Sequence, residues 1–295
     1  MQRPMTDPLE FTGERFTPEC VREIWYEHWH RYAFARSLCE GKRVLDAACG
    51  EGYGSNLLAQ VAREVVAVDL STQAIAHARQ RYATEANLRF EEADATQLPA
   101  LGGKFDVIVS FETLEHLHAQ EELLAGFASQ LADDGILLIS SPDKHTYSDL
   151  AGHQNEFHVR ELYRPDFEAL LARHFPHRRL YGQKLLFQST LWALDVDWQQ
   201  RSEAWTADQA AASLNPGLGY APLYFVALCS RLPLPTDLPG LSLFGDGEES
   251  VYSHYNHEIR KNMAAGARIA ELEAQVARLQ AGVADQISNP PPPSD

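Results

Sequence analysis

The residues with the most chemical potential in this 295-residue chain lie in one short run, VLDAACGEGYGS, from 44 to 55. An acid, Asp46, closes a short apolar stretch. Gly50, Gly52 and Gly54 follow at every second position, and then SNLLA, which reads as the start of a helix. Strand, glycine-rich turn and helix make a ligand-binding element, because glycine permits a sharp turn and a close approach and a helix start offers free N–H groups. The spacing is GxGxG and not the GxGxxG of dinucleotide folds. A carboxylate just before the turn suits a ligand carrying an ammonium group better than one carrying a pyrophosphate.

Further acids recur at comparable places. Asp69 ends VVAVD, Asp94 follows a third apolar run, and SFETLEHL, 110–117, leaves a fourth. The elements needed to position them are five Val-, Ile- and Leu-rich runs, 43–47, 65–69, 87–91, 106–110 and 135–140. Helical stretches near 54–62, 72–85 and 118–132 separate most of them. Such alternation predicts a parallel sheet with helices on both faces, and ligands in such sheets bind at the carboxyl ends of the strands. RPDFEALLARHF reads as a helix with Pro165 at its start, and 179–190 and 221–230 as two last strands.

These stretches, in this order, resemble the class I S-adenosylmethionine (SAM) methyltransferases over about residues 40–190. The resemblance implies a Rossmann-like α/β fold with a mostly parallel seven-stranded sheet, ending in an antiparallel strand. It implies SAM as co-substrate, bound by Asp46, Ala48, Gly50, Gly52, Asp69, Leu70, Asp94, Ala95 and Phe111. Within it Asp46 and the glycine turn serve the methionine ammonium, Asp69 the ribose hydroxyls, and Asp94 with the N–H of Ala95 the adenine. Taken singly, each acid could be no more than a turn or cap residue. GERFTPE, HWHRYAFA and NEFHVREL further resemble bacterial methyltransferases of surface-polysaccharide (O-antigen, lipopolysaccharide) synthesis, in which Arg31 or Tyr32 would meet the SAM carboxylate. SFETLEHL resembles the loop of ubiquinone-type O-methyltransferases, and the Asn-Pro-Pro-Tyr signature of amide-nitrogen enzymes is absent.

The expected activity is methyl transfer to a sugar hydroxyl of a surface glycan or its lipid-linked precursor. The alternatives are a small isoprenoid or phenolic acceptor, or a scaffold that recruits a glycosyltransferase. A hydroxyl acceptor calls for a base. The candidates are His145, placed in the long polar loop 141–160, and His116 and Glu112; Glu115 and His116 could equally just begin the next helix. Asp143, His145, Asp149, Glu156 and His158 could instead hold Mg²⁺, although no spacing there is diagnostic.

The net charge of −16 argues against a nucleic-acid substrate, which needs basic surface. No run of 18 apolar residues suggests a membrane span, the start has no leader-like apolar core, and the four cysteines show no metal spacing, so a cytoplasmic protein is expected. Residues 1–40 read as an irregular arm and an aromatic-rich helix, which either lids the cofactor or packs on the domain. The domain proper is expected over 41–230, with a Trp-rich insertion at 191–220. A linker, 231–256, precedes a coiled coil, 257–285, and a disordered tail, 286–295. In the coil Asn262, Ile269, Val276 and Val283 fall at a, and Ala265, Leu272 and Leu279 at d, the pattern of a two-stranded parallel coil and hence of a homodimer through 262–283. The other reading is a single amphipathic helix.

Overall fold

The computed structural model describes residues 23–152, 154–191, 193–194, 203–207 and 213–288, apart from the side chains of Leu214 and of 282–288. The polar arm 1–20, Trp192, Trp198 and the last seven residues lie outside the described residues. Contacts divide the chain into two units, 1–244 and 245–295.

The first unit alternates strands and helices in this order: α1 (Glu23–Arg36), β1 (Arg43–Ala47), α2 (Tyr53–Ala59), β2 (Glu64–Asp69), α3 (Thr72–Arg81), β3 (Leu88–Glu92), β4 (Phe105–Ser110), α4 (Gln120–Gln130), β5 (Leu131–Pro142), α5 (Arg164–Ala172), β6 (His177–Gln183), β7 (Trp205–Ala207), β8 (Leu214–Pro216) and β9 (Tyr224–Ser230). Seven strands form one mixed sheet in the order β3-β2-β1-β4-β5-β9-β6. The first five are parallel, and β9 runs antiparallel between β5 and β6. The order reverses between β1 and β4, which opens a crevice at their carboxyl ends.

Alternation along each strand feeds two cores. Leu45, Val66, Val68, Ile108, Leu137 and Ile139 face α4 and α5 with Phe127, Phe167 and Phe175. Val44, Val65, Val107, Val109 and Leu138 face α1 and α2 with Tyr32, Tyr53 and Leu58. All five residues of β1 are buried, Asp46 among them. Parity puts Asp46 on the face of Val44, where α1 and α2 lie.

Several expected bounds shift. β6 stops at Gln183, short of 190, because its partner begins only at Tyr224, so the backbone beyond finds no ladder. β5 starts at Leu131 and its pairing with β4 is irregular between Phe105 and Val107. The insertion contains the small hairpin β7–β8, on which Trp205 is half exposed. The start of the expected linker is no free tether. Leu234 and Leu238 pack on the α1/α2 face, Tyr181 donates to the carbonyl of Pro239, and Ser242 Oγ lies 2.9 Å from His30 Nε2. Phe244 then rests against Trp25, Tyr26 and His30.

The second unit is a helix, α6 (Ser250–Ser288), entered through Asp246, whose carboxylate accepts from the N–H of Ser250. The helix begins seven residues before the expected coil. Ile269, Leu272, Val276 and Leu279 are exposed along it. No described helix is long and apolar enough to cross a membrane.

Candidate functional site

At the carboxyl end of β1 the backbone turns through two left-handed glycines, Gly50 at φ 56° and Gly52 at φ 89°. Ala48 takes the same conformation at φ 61°, a region that costs a residue with a Cβ about 1 kcal/mol or more. Asp69, ending β2, holds this turn from beside it. Its Oδ2 accepts from the N–H of Gly50 at 2.8 Å, and its Oδ1 from the N–H of Ser71 at 2.8 Å. The half-buried carboxylate keeps further lone pairs. Leu70, which follows it, is exposed. Asp94 caps a short turn (Ala95–Gln97) through Oδ1, which accepts from the N–H and the hydroxyl of Thr96. Among the described residues its Oδ2 and the N–H of Ala95 carry no partner.

The glycines do more than leave room for a ligand. A Cβ on Gly52 would sit 2.5 Å from the Phe90 ring, and one on Gly54 would sit 2.1 Å from the ring of Tyr32. Their absent side chains thus let β3 and α1 close on the turn. Tyr32 donates to Asp46 Oδ1 at 3.1 Å, and Ser55 donates to Asp46 Oδ2 at 2.6 Å. Burial nevertheless pushes the Asp46 carboxyl up to about 7, since the two hydroxyls offset only part of the lost hydration. Glu51, at the tip of the turn, is fully buried against Arg81 at 2.7 Å and His77 at 3.5 Å, which fastens the turn to α3.

The second half of the edge is built from side chains. Phe111 follows β4, edge-on to Tyr32 at 5.1 Å. Glu112 has φ 50°, held there by Ser140 of β5: the hydroxyl donates to Oε1 at 2.6 Å and accepts from the N–H of Glu112 at 2.9 Å. Arg31, 2% exposed on α1, faces Glu112 at 3.5 Å. Its Nε donates to Gln183 at 2.8 Å, and its guanidinium lies 4.4 Å over the Tyr224 ring. Its Nη1 has no hydrogen-bond acceptor among the described residues. Glu27, one turn earlier, bonds to Tyr224, and burial raises its carboxyl to about 7.

Of the three expected base candidates, Glu112 is held by Ser140 and Arg31, and the two histidines separate. The imidazole of His145 is exposed, on the helical turn His145–Asp149, and makes no hydrogen bond or ion pair among the described residues. Tyr147, two positions on, faces inward instead, stacked on His158 at 5.2 Å and 5.8 Å from Tyr224. His116 lies 3.8 Å from the buried Glu115 and 5.0 Å from His158, ring to ring. Of the Mg²⁺ candidates, only His158 enters this group. Asp149 accepts from Tyr163 at the surface, and Asp143 caps its own loop through the N–H of His145.

A family model described as a methyltransferase domain matches residues 21–190, more than half of the chain. This chain belongs to the methyltransferase-domain family. The "Probable S-adenosylmethionine-dependent methyltransferase" of Mycobacterium tuberculosis (strain H37Rv) is 37% identical over 168 residues, which cover 55% of this chain and 60% of that protein. The chain therefore spans about three-fifths of that relative. A ubiquinone biosynthesis O-methyltransferase of Caulobacter sp. (strain K31) is 33% identical over 123 residues, 41% of this chain and 49% of that protein. Among solved structures, a TehB-like SAM-dependent methyltransferase of Corynebacterium glutamicum aligns with a TM-score of 0.45 and 18% identity, over 69% of this chain and 88% of that one.

Several groups on this methyltransferase domain could hold the parts of SAM. Buried Asp46 and the turn suit an ammonium, and the buried Nη1 of Arg31, which has no acceptor among the described residues, a carboxylate. Asp69 suits vicinal ribose hydroxyls, Leu70 the face of a purine, and Asp94 Oδ2 with the N–H of Ala95 a donor–acceptor pair on its edge. Sequence reasoning missed Ser55, Ser140, Gln183 and Tyr224. Ser55 stands in the first turn of α2, a place that could have linked it to Asp46. The other three stand on strands distant in sequence and carry no such mark.

Proposed function

We propose that this chain transfers the methyl group of SAM to a hydroxyl on a sugar of a bacterial surface polysaccharide or of its lipid-linked precursor. The observation that carries methyl transfer is the donor edge: Asp46, the left-handed turn, Asp69, Leu70 and Asp94 stand at the ends of three adjacent parallel strands, in a chain of the methyltransferase-domain family. The sugar acceptor is supported by the resemblance of HWHRYAFA and NEFHVREL, and the oxygen nucleophile by SFETLEHL in place of an amide-nitrogen signature.

The reaction is an in-line displacement at the methyl carbon. Asp46 and Arg31 grip the two charges of the methionine end, which fixes the sulfonium, and such positioning can supply several kcal/mol. Arg31 also joins donor to acceptor side through Glu112, whose positive-φ backbone aims the loop after β4. Radiolabelled methyl transfer from SAM tests the reading. Label should enter deoxy-sugar oligosaccharides, and its exclusive entry into quinone precursors refutes the sugar acceptor. A phenolic or isoprenoid acceptor is the second reading, favoured by the likeness to ubiquinone O-methyltransferases.

The exposed stripe of α6 supports a homodimer through 262–283, and the same coil is the surface on which a glycosyltransferase partner would dock. Asn262 at an a position sets register in such a seam. Truncation after Phe244 removes the second unit and keeps the strap of residues 234–244 on α1. It should leave SAM binding intact and halve the mass seen by light scattering, beyond the deleted residues. An unchanged oligomeric state refutes the coil as the pairing element.

A further inference from the structure

Glu115, His116 and His158 each present a ligand atom within 4.8 Å of the other two. They come from two segments, the loop after β4 and the long loop after β5, which are knit together at this point. The carbonyl of Glu115 accepts from the N–H groups of Val159 and Arg160, and Gln120 donates to the carbonyl of Arg160. The cluster is thus held by main chain on both sides.

Both imidazoles are oriented from behind. Nδ1 of His116 lies 3.1 Å from the carbonyl of Phe157, which can only accept, so this nitrogen carries the proton and Nε2 keeps its lone pair. Nδ1 of His158 lies 2.6 Å from Glu161 Oε1, and Ser148 holds the other oxygen of that carboxylate at 2.5 Å. The same logic leaves the lone pair of His158 on Nε2. A histidine whose far nitrogen donates to a carbonyl or carboxylate is the arrangement by which proteins prepare imidazole ligands for metals. Asn155 Nδ2 lies 3.1 Å from His158 Nε2, with the Asn155 Oδ1 engaged by the N–H of Phe157. That amide holds the place a cation would take.

We propose that Glu115, His116 and His158 bind a divalent first-row cation of the Mn²⁺ or Zn²⁺ kind, with its open positions toward the acceptor. Two imidazoles and one carboxylate suit such ions, whereas Mg²⁺ prefers an all-oxygen shell. Metal–ligand bonds of about 2.0–2.2 Å require the three side chains to draw in from the present spacing, with Asn155 giving way. Glu112, also in this loop, stays with Ser140 and Arg31 and is not counted as a ligand. The cation's role rests on the proposed methyl transfer; its binding does not. In that role it favours loss of the acceptor hydroxyl proton to water. The oxygen's electron pair then forms the new C–O bond as the C–S bond breaks, and the sulfur retains that pair in S-adenosylhomocysteine.

Mn²⁺ titrated into the full chain and followed by electron paramagnetic resonance tests the site without any turnover. One Mn²⁺ per chain is expected, displaced by Zn²⁺ at far lower concentration than by Mg²⁺. His158→Ala and Glu115→Gln should each weaken binding at least tenfold, with circular dichroism reporting the fold. Asn155→Ala should tighten it, an effect of opposite sign that a merely damaged loop does not produce. No binding by the folded wild type, equal binding in the folded His158 and Glu115 variants, or displacement by Mg²⁺ as readily as by Zn²⁺ would overturn the assignment. A parallel SAM titration keeps the two ideas apart, because failure of methyl transfer leaves Mn²⁺ binding standing and loss of the cation site leaves SAM binding standing.

Discussion

The two halves of the sheet's carboxyl edge are made in different ways. On the donor half, the acids accept over short stretches of sequence: Asp69 from Ser71 and Gly50, Asp94 from Thr96, and Asp46 from Ser55 and Tyr32, none more than 19 positions away. On the acceptor half, side chains meet across long stretches of sequence. Arg31 reaches Gln183 over 152 positions, Glu112 reaches Ser140 over 28, and His116 reaches the carbonyl of Phe157 over 41. The donor half is a local conformation with acids attached, and the acceptor half exists only once the whole sheet has closed. Substitutions in the donor half should therefore weaken the ligand first, and those in the acceptor half the fold first.

The largest effect expected is at Arg31. Arg31→Met removes one member of a buried ion pair and leaves Glu112 facing Tyr224 without its cation. Breaking such a pair costs about 3–5 kcal/mol. Chemical denaturation should show the loss, and Arg31→Met combined with Glu112→Gln should recover much of it. A single variant as stable as wild type would erase the contrast between the halves.

Asp69→Ala comes next and should show the reverse balance. Calorimetry should find SAM bound more weakly by about 1.5–3 kcal/mol, the range for hydrogen bonds to a charged group. The fold should survive, because the turn keeps its tie to α3 through Glu51 and Arg81. Unchanged SAM affinity would remove Asp69 from the site.

Asp46 sharpens the comparison through pH. Its carboxyl titrates at about 7 in the free protein, and an ammonium favours the ionised form. SAM affinity should fall as pH drops below about 7, by up to roughly tenfold per unit, and Asp46→Asn should lose both the affinity and its pH dependence. Stability runs the other way. A carboxyl raised from about 3.9 in the unfolded chain to about 7 in the fold stabilises below the lower value, and the contribution is lost as pH rises through the higher one. Glu27 adds in the same sense. Melting temperature should decline between pH 4 and 7, and less so in Asp46→Asn.

The smallest effect is expected at His145. As an exposed side chain with no partner among the described residues, its replacement by alanine should change turnover by less than about twofold. A loss of a hundredfold would restore it as the base.

This division also explains what the sequence discloses. Strand periodicity, the glycine turn and the acids at strand ends are patterns of neighbours, so the sheet and the placing of those acids at its carboxyl edge could be read with bounds shifted by few positions. Ser140 and Tyr224 meet Glu112 and Arg31 through the register of β5 and β9, which no local pattern encodes. His145 shows the same limit. Its place in a loop facing the right edge was legible, but the single turn that points Tyr147 inward and His145 outward was not. Gly52 and Gly54 show a related limit: their spacing marks a tight approach without saying that Phe90 and Tyr32 are what approaches.

The strap that crosses α1 sets an order of events during synthesis. His30 leaves the ribosome 212 residues ahead of Ser242. At about 5–20 residues per second, α1 waits roughly 10–40 s for this strap, and the faces of Trp25 and Tyr26 that meet Phe244 stay uncovered until it arrives. Over that interval the nascent chain presents an aromatic helix as its leading described element. Apolar surface left exposed in this way is prone to association, and a ribosome paused short of residue 244 prolongs the exposure.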